Sequence, residues 1–462
     1  MIPLTLTRIA QVTGGRLGSP QDGDVVVDAP VVTDSREARP GSLYVARVGE
    51  HADGHRYLGD AAANGAVAAL VTRPGGPLPE VIVDDVQEAF AALAGAVIDG
   101  IPGLLVVGVT GSSGKTSTKD LLAAVLATRA PTVANVGSLN SEVGVPLTVC
   151  RADARTSHLV LEMGARGIGH IKYLTDMTHP GVGVVLNVGS AHVGEFGSQQ
   201  AIALAKGELV EALPPHGLAV LNGDDPLVRA MAGRTRARVV FTGRGAGADV
   251  RAGDVRLRED GTASFTLHTP EGSAPVDLAV LGEHMVDNAL AVAAVAREAG
   301  MAVSEVAEAL GNARLASRWR LERHERPDGV TVLNDAYNAN PDSLAAALRT
   351  LAAMSAGGRR SWAVIGEMLE LGDDAARAHR EAGSLAAALG IDRVLAVGDG
   401  AAAVAEGAGR RGERAADLDA AYDTLTAGLR PGDIVLLKSS NAVGLRHLGD
   451  WLVDGRVDGA AS

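Results

Sequence analysis

Gly111, Ser112, Ser113, Gly114, Lys115, Thr116 and Ser117 follow the apolar run Leu104–Val109 and precede a helix-like stretch. In a strand–turn–helix of this kind, backbone N–H groups of the turn and helix N-terminus cradle phosphates. The lysine adds positive charge, and the threonine hydroxyl can hold a magnesium ion. The widespread G-x-x-x-x-G-K-[ST] spacing lacks its first glycine, because Val109 stands there with Gly108 and Gly111 on either side. The loop therefore reads as a nucleotide site of variant form.

Ligands of open α/β sheets sit beyond the carboxyl ends of the strands. Glu162 ends the strand His158–Leu161, and His192 follows a strand that ends at Asn187. A carboxylate, an imidazole and the Thr116 hydroxyl suit one or two magnesium ions bridging nucleotide phosphates. A lone histidine is more often structural; its place beside a phosphate loop and a strand-end glutamate favours the ligand reading. Lys206 lies in a helix-like run with few charges and reads either as a solvated lysine or as a buried amine of lowered pKa. A neutral amine there could take up carbon dioxide and become an anionic carbamate ligand. Asp335, Asn338 and Asn340 lie in a dense polar stretch after the strand Val330–Asn334, with Ser343 at a helix start. Arg314, Arg318 and Arg320 cluster just before it, either as a surface charge cluster or as groups offsetting charge on a transferring phosphoryl group.

The elements that must position these groups are legible in outline. A chain of 462 residues is too long for one ordinary core. Its 47% apolar content is that of a globular protein, and a net charge of −13 argues against a broad nucleic-acid surface. The single cysteine, Cys150, permits no intramolecular disulfide and reads as a small buried hydrophobe. No signal-peptide pattern or uncharged apolar run long enough for a bilayer is visible, so a cytoplasmic location is expected.

Short strands at Val31–Thr33, Ser42–Val45 and Val67–Val71, with helices at Tyr57–Asn64 and Val86–Ile98, point to a small α/β domain over 1–101. The stretch from Ile98 to Gly103 reads as a linker. Strands at Leu104–Val109, His158–Leu161, Val182–Asn187 and Leu218–Leu221 predict a parallel sheet in a central ATP-binding domain, 102–314, to which an antiparallel meander over 250–281 is attached. Strands at Val330–Asn334, Trp362–Ile365, Val394–Val397 and Ile434–Leu437 alternate with helices near 343–354, 376–389 and 418–427. They predict a doubly wound, Rossmann-like domain over 315–462. The fold class is thus α/β in three domains.

Taken in order, Thr110–Thr116, Glu162–Arg166, Asn187–His192, Ala205–Glu208 and Asp335–Pro341 resemble the motifs of the Mur ligases, and the resemblance spans essentially the whole chain. Within that family they look most like the member that adds D-alanyl-D-alanine to UDP-N-acetylmuramoyl-tripeptide. The resemblance implies an ATP- and Mg²⁺-dependent amide ligase acting through an acyl phosphate, for which a monomer is the simplest expectation. It implies that Gly111–Ser117 bind the phosphates and that Thr116, Glu162 and His192 form the metal sites. Lys206 would correspond to a lysine carbamylated in several relatives. It further implies that Asn288 contacts adenine, that Arg318 reaches the phosphates and Asp335 the ribose, and that Asn140 and Arg166 lie near the sugar-peptide. Asn338 and Asn340 are expected on the substrate side. Asp34-Ser35-Arg36 and Asp53-Gly54-His55 resemble the part that holds the UDP end, with Ser35, Arg36, Asp53 and His55 as candidate contacts. Met285, Ser141 and Asn441 depart from residues frequent in the family. A related ligase adding another amino acid and a non-catalytic nucleotide switch are the competing readings. ATP consumption that requires both a carboxylate and an amine would separate a ligase from a switch.

Overall fold

The computed structural model describes residues 1–49, 52–189 and 196–456; His192 lies outside the described residues. The chain builds three main sheets in sequence, each covered by helices. Every strand that carries a candidate residue of the nucleotide site ends at the edge where the second and third sheets face each other.

The first sheet has five short strands, in the order Arg16–Leu17, Glu80–Ile82, Ala68–Val71, Leu43–Val45 and Val31–Val32. The expected helices appear as Leu58–Ala63 and Val86–Asp99. Asp85 caps the second through its carboxylate, which accepts the backbone N–H groups of Gln87 and Glu88. Its apolar face does not stay with its own sheet. Phe90, Leu93, Ala94 and Val97 belong to one continuous core with Val145, Val149, Ile171 and Leu174, which cover a face of the second sheet. The Pro-Gly stretch after residue 99 therefore links two bodies that share buried apolar area.

The second sheet has nine strands. Its parallel part runs Thr132–Ala134, His158–Glu162, Leu105–Thr110, Val182–Val185, Leu218–Asn222 and Arg238–Gly243, then joins Val250–Leu257. The expected meander, Val250–Leu257, Thr262–Thr269 and Gly272–Leu281, continues that sheet instead of forming a separate one. The strands at 132–134 and 238–243 add to the expected ones: the first lacks a strong local apolar run, and the second carries the short run Val239-Val240-Phe241. They exist because their backbones pair with the buried strands beside them. The chain moves from Leu105–Thr110 to one side of that strand and then, at Val182, to the other, which leaves a crevice at its carboxyl end. In register, Val109 lies opposite Glu162 on one neighbour and Val184 on the other.

The third sheet has the order Glu322–Glu325, Thr331–Asn334, Ile434–Lys438, Ser361–Ile365, Arg393–Val397 and Gly412–Ala415. Helices Pro341–Ser355, Ala375–Ala388 and Ala402–Ala408 bury one face, and Leu418–Gly428 and Leu445–Asp454 bury the other, giving the doubly wound form. Asn334 pairs with Leu437, and Ile365 with Lys438, so Asp335 and Lys438 emerge at the same carboxyl edge. No helix among the described residues is long and apolar enough to cross a membrane.

The shared core makes the first sheet's helix a stabiliser of the second. Phe90 is fully buried, so Phe90→Ala should lower unfolding free energy by about 3–5 kcal/mol. Urea denaturation followed by circular dichroism would measure this; a loss below about 1 kcal/mol would mean that the interface is not well packed.

Candidate active site

The helix Lys115–Ala127 begins at Gly114, whose φ of +80° is left-handed and which offers no side chain to cap the first turn. The leading N–H groups are thereby left for an incoming anion. A Cβ on Gly114 would lie 2.7 Å from Asn288 Oδ1, and one on Gly111 would lie 2.9 Å from Leu186 Cβ. Both glycines permit close approach, and Gly114 turn geometry as well. Asn187 clamps the loop: its Oδ1 accepts the Ser113 N–H at 2.9 Å, its Nδ2 donates to Ser113 O at 3.1 Å, and its carbonyl accepts the Ser112 N–H at 3.1 Å. Lys115 Nζ folds back to donate to Gly111 O at 2.7 Å. Burial pulls the Lys115 ammonium below the ordinary lysine range; Glu162 opposes that shift, and Arg320 adds to it. Val109 is fully buried within the strand, so the turn starts only at Gly111 and the loop is shorter than the widespread form.

Glu162 is 1% exposed and closes one wall of the cavity. Its Oε1 accepts from Asn140 Nδ2 at 2.6 Å, its backbone N–H donates to Asn135 Oδ1 at 2.6 Å, and its Oε2 has no hydrogen-bond partner among the described residues. A buried carboxylate oxygen left open in the cavity that Thr116 also lines suits a hard cation. Among the described residues no group of three or more His, Cys, Asp or Glu gathers to hold a metal by itself. A magnesium ion here would take further oxygens from phosphates and water.

Lys206 lies in the helix Gln199–Glu211, which Ser198 caps by accepting the Ala201 N–H. The lysine is only 4% exposed, which removes the solvated-lysine reading. Burial, with Lys115 adding to it, pulls its amine well below the ordinary lysine range. Asn288 sits on the helix Met285–Glu298, with Nδ2 3.4 Å from Met285 Sδ.

The opposite wall comes from the third sheet. Asp335 Oδ2 pairs with Lys438 Nζ at 2.6 Å, and its Oδ1 accepts the Leu321 N–H at 3.1 Å. Lys438 also donates to Asn338 O at 3.0 Å. Its ammonium is pulled down by burial, opposed by Asp335, while Arg320 adds to the lowering. Asn340 caps the helix Pro341–Ser355, accepting the Ser343 N–H at 2.8 Å, so much of its side chain is committed to folding. Asp342, in the first turn of that helix, approaches the second sheet's loop: a Cβ on Gly189 would lie 2.7 Å from Asp342 Oδ2. Together the walls enclose a cavity of about 670 Å³.

The expected residues do not all face that cavity. Ser112–Ser117, Asn140, Glu162, Asn288, Asp335, Asn338 and Asn340 line it. Arg318 instead turns outward, its Nη2 2.8 Å from Asp450 Oδ1, and Arg320 enters. The cause is in the backbone: Trp319 and Leu321 adopt left-handed φ of 59° and 51° on either side of Arg320. Such a conformation costs a bulky residue roughly 1–2 kcal/mol. Trp319 Nε1 donating to Asp450 Oδ1 at 3.1 Å and the Leu321–Asp335 bond hold the segment there.

Arg166 is exposed, its backbone N–H donating to His170 Nδ1 at 3.4 Å. In the first sheet Ser35 is buried, whereas Arg36 is exposed and paired with Asp34. His55 Nδ1 lies 2.7 Å from Asp53, His55 Nε2 accepts the Thr72 N–H at 3.1 Å, and Asp53 also pairs with Arg73. The Asp53 carboxyl is held below the usual carboxylate range, chiefly by Arg73. Asn441 is bound by Arg446, whose Nη1 donates to Asn441 Oδ1 at 2.7 Å. Ser138, Lys438 and Asp342 line the cavity without having been expected there. Lys438 ends an apolar strand and Asp342 lies in the polar stretch after Asn334, so both carry a local signal of their position, whereas Ser138 carries none.

Comparison with known proteins agrees with this arrangement. Residues 109–296 match the Mur ligase middle domain, and residues 319–441 match the "Mur ligase, glutamate ligase domain". The UDP-N-acetylmuramoyl-tripeptide–D-alanyl-D-alanine ligase of Mycobacterium tuberculosis is 46% identical, with 98% of each chain covered. Among solved structures, MurF from Acinetobacter baumannii superposes with a TM-score of 0.89 at 30% identity, covering 98% of this chain and 99% of that one. MurF from Thermotoga maritima in complex with ADP does so with a TM-score of 0.81 at 28% identity, covering 93% and 98%. The chain belongs to the Mur ligase family.

Gly114 offers a direct test of the loop. Gly114→Ala would force a Cβ into the left-handed region and against Asn288, so ADP affinity measured by calorimetry should fall about tenfold or more. Unchanged affinity would show that the uncapped helix start does not receive the nucleotide.

Proposed function

We propose that this Mur ligase joins the terminal carboxylate of UDP-N-acetylmuramoyl-tripeptide to the amine of D-alanyl-D-alanine, using ATP, and so completes a peptidoglycan precursor. The observation that carries this reading is the 46% identity, over 98% of both chains, to an enzyme of that name. The cavity between the second and third sheets supports it, because it brings a phosphate loop and a second polar wall together around one space.

The chemistry follows from the poor leaving group of a carboxylate. Transfer of the γ-phosphoryl group of ATP to the peptide carboxylate gives an acyl phosphate and ADP. The dipeptide amine then attacks the acyl carbon, the C–O bond to phosphate breaks, and an amide, inorganic phosphate and a proton result. In this reading the N–H groups of Gly111–Ser117 and the Lys115 ammonium bind the phosphates, Asn288 meets the adenine, and Asp335 meets the ribose. Thr116 and Glu162 would hold Mg²⁺, with His192 expected to contribute. A divalent ion there neutralises phosphate charge and orients the reacting oxygens. Arg318 would reach the phosphates only by leaving Asp450.

Asn140 and Arg166 are assigned to the sugar-peptide, and Asn338 and Asn340 to the substrate side of the third wall. Ser35, Arg36, Asp53 and His55 are assigned to the UDP end. With the division 1–101, 102–314 and 315–462, the first sheet binds the UDP-substrate, the second binds ATP, and the third completes the ligase site. Closure of the third part on the second would exclude water that otherwise hydrolyses the acyl phosphate. A cytoplasmic location and a monomer complete the reading.

Lys206 is proposed as the carbamylated lysine. Its amine nitrogen would add to carbon dioxide, release one proton and gain an anionic oxygen; the unmodified side chain is not among the residues that line the cavity. The burial of an amine beside the phosphate loop supports this assignment.

Phosphate release should require ATP, the UDP-linked tripeptide and D-alanyl-D-alanine together. Release with a single amino acid and a shorter precursor instead would identify a different ligase of the same fold. Lys206→Ala should lower turnover by about 100-fold, with partial recovery in acetate or bicarbonate. Protein equilibrated with ¹³C-bicarbonate should show a carbamate carbon signal that is missing from the alanine variant. Full activity of that variant without an added anion would remove Lys206 from the mechanism.

A further inference from the structure

Arg320 places a cation where the proposed reaction needs a metal. Its Nη2 donates to Thr116 Oγ1 at 3.0 Å and lies 3.4 Å from Ser138 Oγ, and the two hydroxyl oxygens are 3.0 Å apart. One guanidinium nitrogen is thus held between two hydroxyls at the first turn of the phosphate-loop helix. Unlike Arg318, which pairs with Asp450 and Glu322, Arg320 has no carboxylate partner among the described residues. Its Nε is buried and has no hydrogen-bond partner among the described residues. The guanidinium lies over the Tyr337 ring, 4.3 Å from its centroid. The left-handed residues Trp319 and Leu321 fix the backbone on both sides. This arginine is held in place by its surroundings, and its charge is left uncompensated.

We infer that Arg320 is a resident cation at the metal's seat: it occupies Thr116 and Ser138 in the nucleotide-free enzyme, and binding of a metal–nucleotide complex displaces it. The inference rests on the proposed nucleotide site. The Thr116 hydroxyl oxygen cannot serve a divalent ion at about 2.1 Å while a guanidinium sits on it at 3.0 Å without repulsion between the two charges. Arg320 belongs to the segment that leads into the third sheet, so its displacement couples metal loading to the position of that wall.

The two cations are expected to substitute for each other. Without metal, Arg320 offsets the phosphate charge of ADP; with metal, it must give way. Binding linkage requires that removing Arg320 enlarge the benefit that metal brings to the nucleotide. Calorimetry would give the ADP dissociation constant in EDTA and in saturating Mn²⁺ for wild type, Arg320→Gln, Arg320→Met and Arg320→Lys. The ratio of the two constants should rise at least threefold in both neutral variants and stay within twofold of wild type in Arg320→Lys. A smaller rise, or a fall, in the neutral variants overturns the inference, as does a lysine variant that behaves like them. Each ratio compares two ligation states of one protein, so a general loss of stability would not move it. If wild type binds ADP in neither condition, the nucleotide reading itself fails.

Discussion

Lys119 and Asp120 form an ion pair inside the protein, with side chains only 1% and 2% exposed. Two charges are held out of water there, and the arrangement is tolerable because each partner makes further hydrogen bonds. Lys119 Nζ also donates to Asn135 O at 2.8 Å and lies 3.4 Å from Ser317 Oγ, while Asp120 Oδ2 accepts the Ser317 N–H at 2.8 Å. Ser317 lies in the segment that enters the third sheet. Asn135 in turn receives the Glu162 N–H. One buried pair on the phosphate-loop helix therefore fixes the start of the third unit and, through Asn135, the backbone of the acidic wall. The segment that enters the third sheet is anchored at Ser317, so closure of the third part must pivot about that residue or break a buried contact.

That anchorage explains how an acidic protein makes a site for anions. The chain's net charge is −13, yet Lys115, Arg320 and Lys438 converge on one cavity. Lys438 is neutralised by Asp335, and Glu162 lies near Lys115, but Arg320 has no such partner among the described residues. Five carboxylates, Glu162, Asp225, Asp287, Asp335 and Asp342, also line the cavity, so its attraction for phosphate comes from where the cations sit in a partly desolvated crevice and not from a net positive charge. Burial and the neighbouring Lys115 charge act in the same direction on Lys206 and pull its amine below the ordinary lysine range.

The shared core beneath the first two sheets sets a mechanical contrast. The helix Val86–Asp99 is cemented to the second sheet by apolar side chains, whereas the second and third sheets meet mainly through polar groups around the cavity. Polar walls can exchange their partners for ligand atoms at modest loss; an apolar seam cannot open without exposing its whole area. The part of the molecule suited to move is accordingly the third.

The α/β alternation, the position of the phosphate loop and the strand ends at Glu162 and Asp335 follow from local sequence. They depend on apolar runs, turn residues and helix starts that each lie within a few neighbours. Val109 is an example: a valine within an apolar run marks a continuing strand, and the loop is short for that reason. The strand at 238–243 carries a short apolar run, Val239-Val240-Phe241, whereas those at 132–134, 322–325 and 412–415 escaped such reading, because partner backbones decide them. The same holds for the choice between Arg318 and Arg320. Two residues apart, both look equally able to meet phosphate, but the left-handed turns at Trp319 and Leu321 send one to Asp450 and the other to Thr116. Asp450, far along the chain, and Asp335, close by, hold those turns in place. Sequence determined which chemistry the chain carries; long-range contacts decided which guanidinium faces the reaction, because side-chain direction depends on backbone strain that only tertiary packing can sustain.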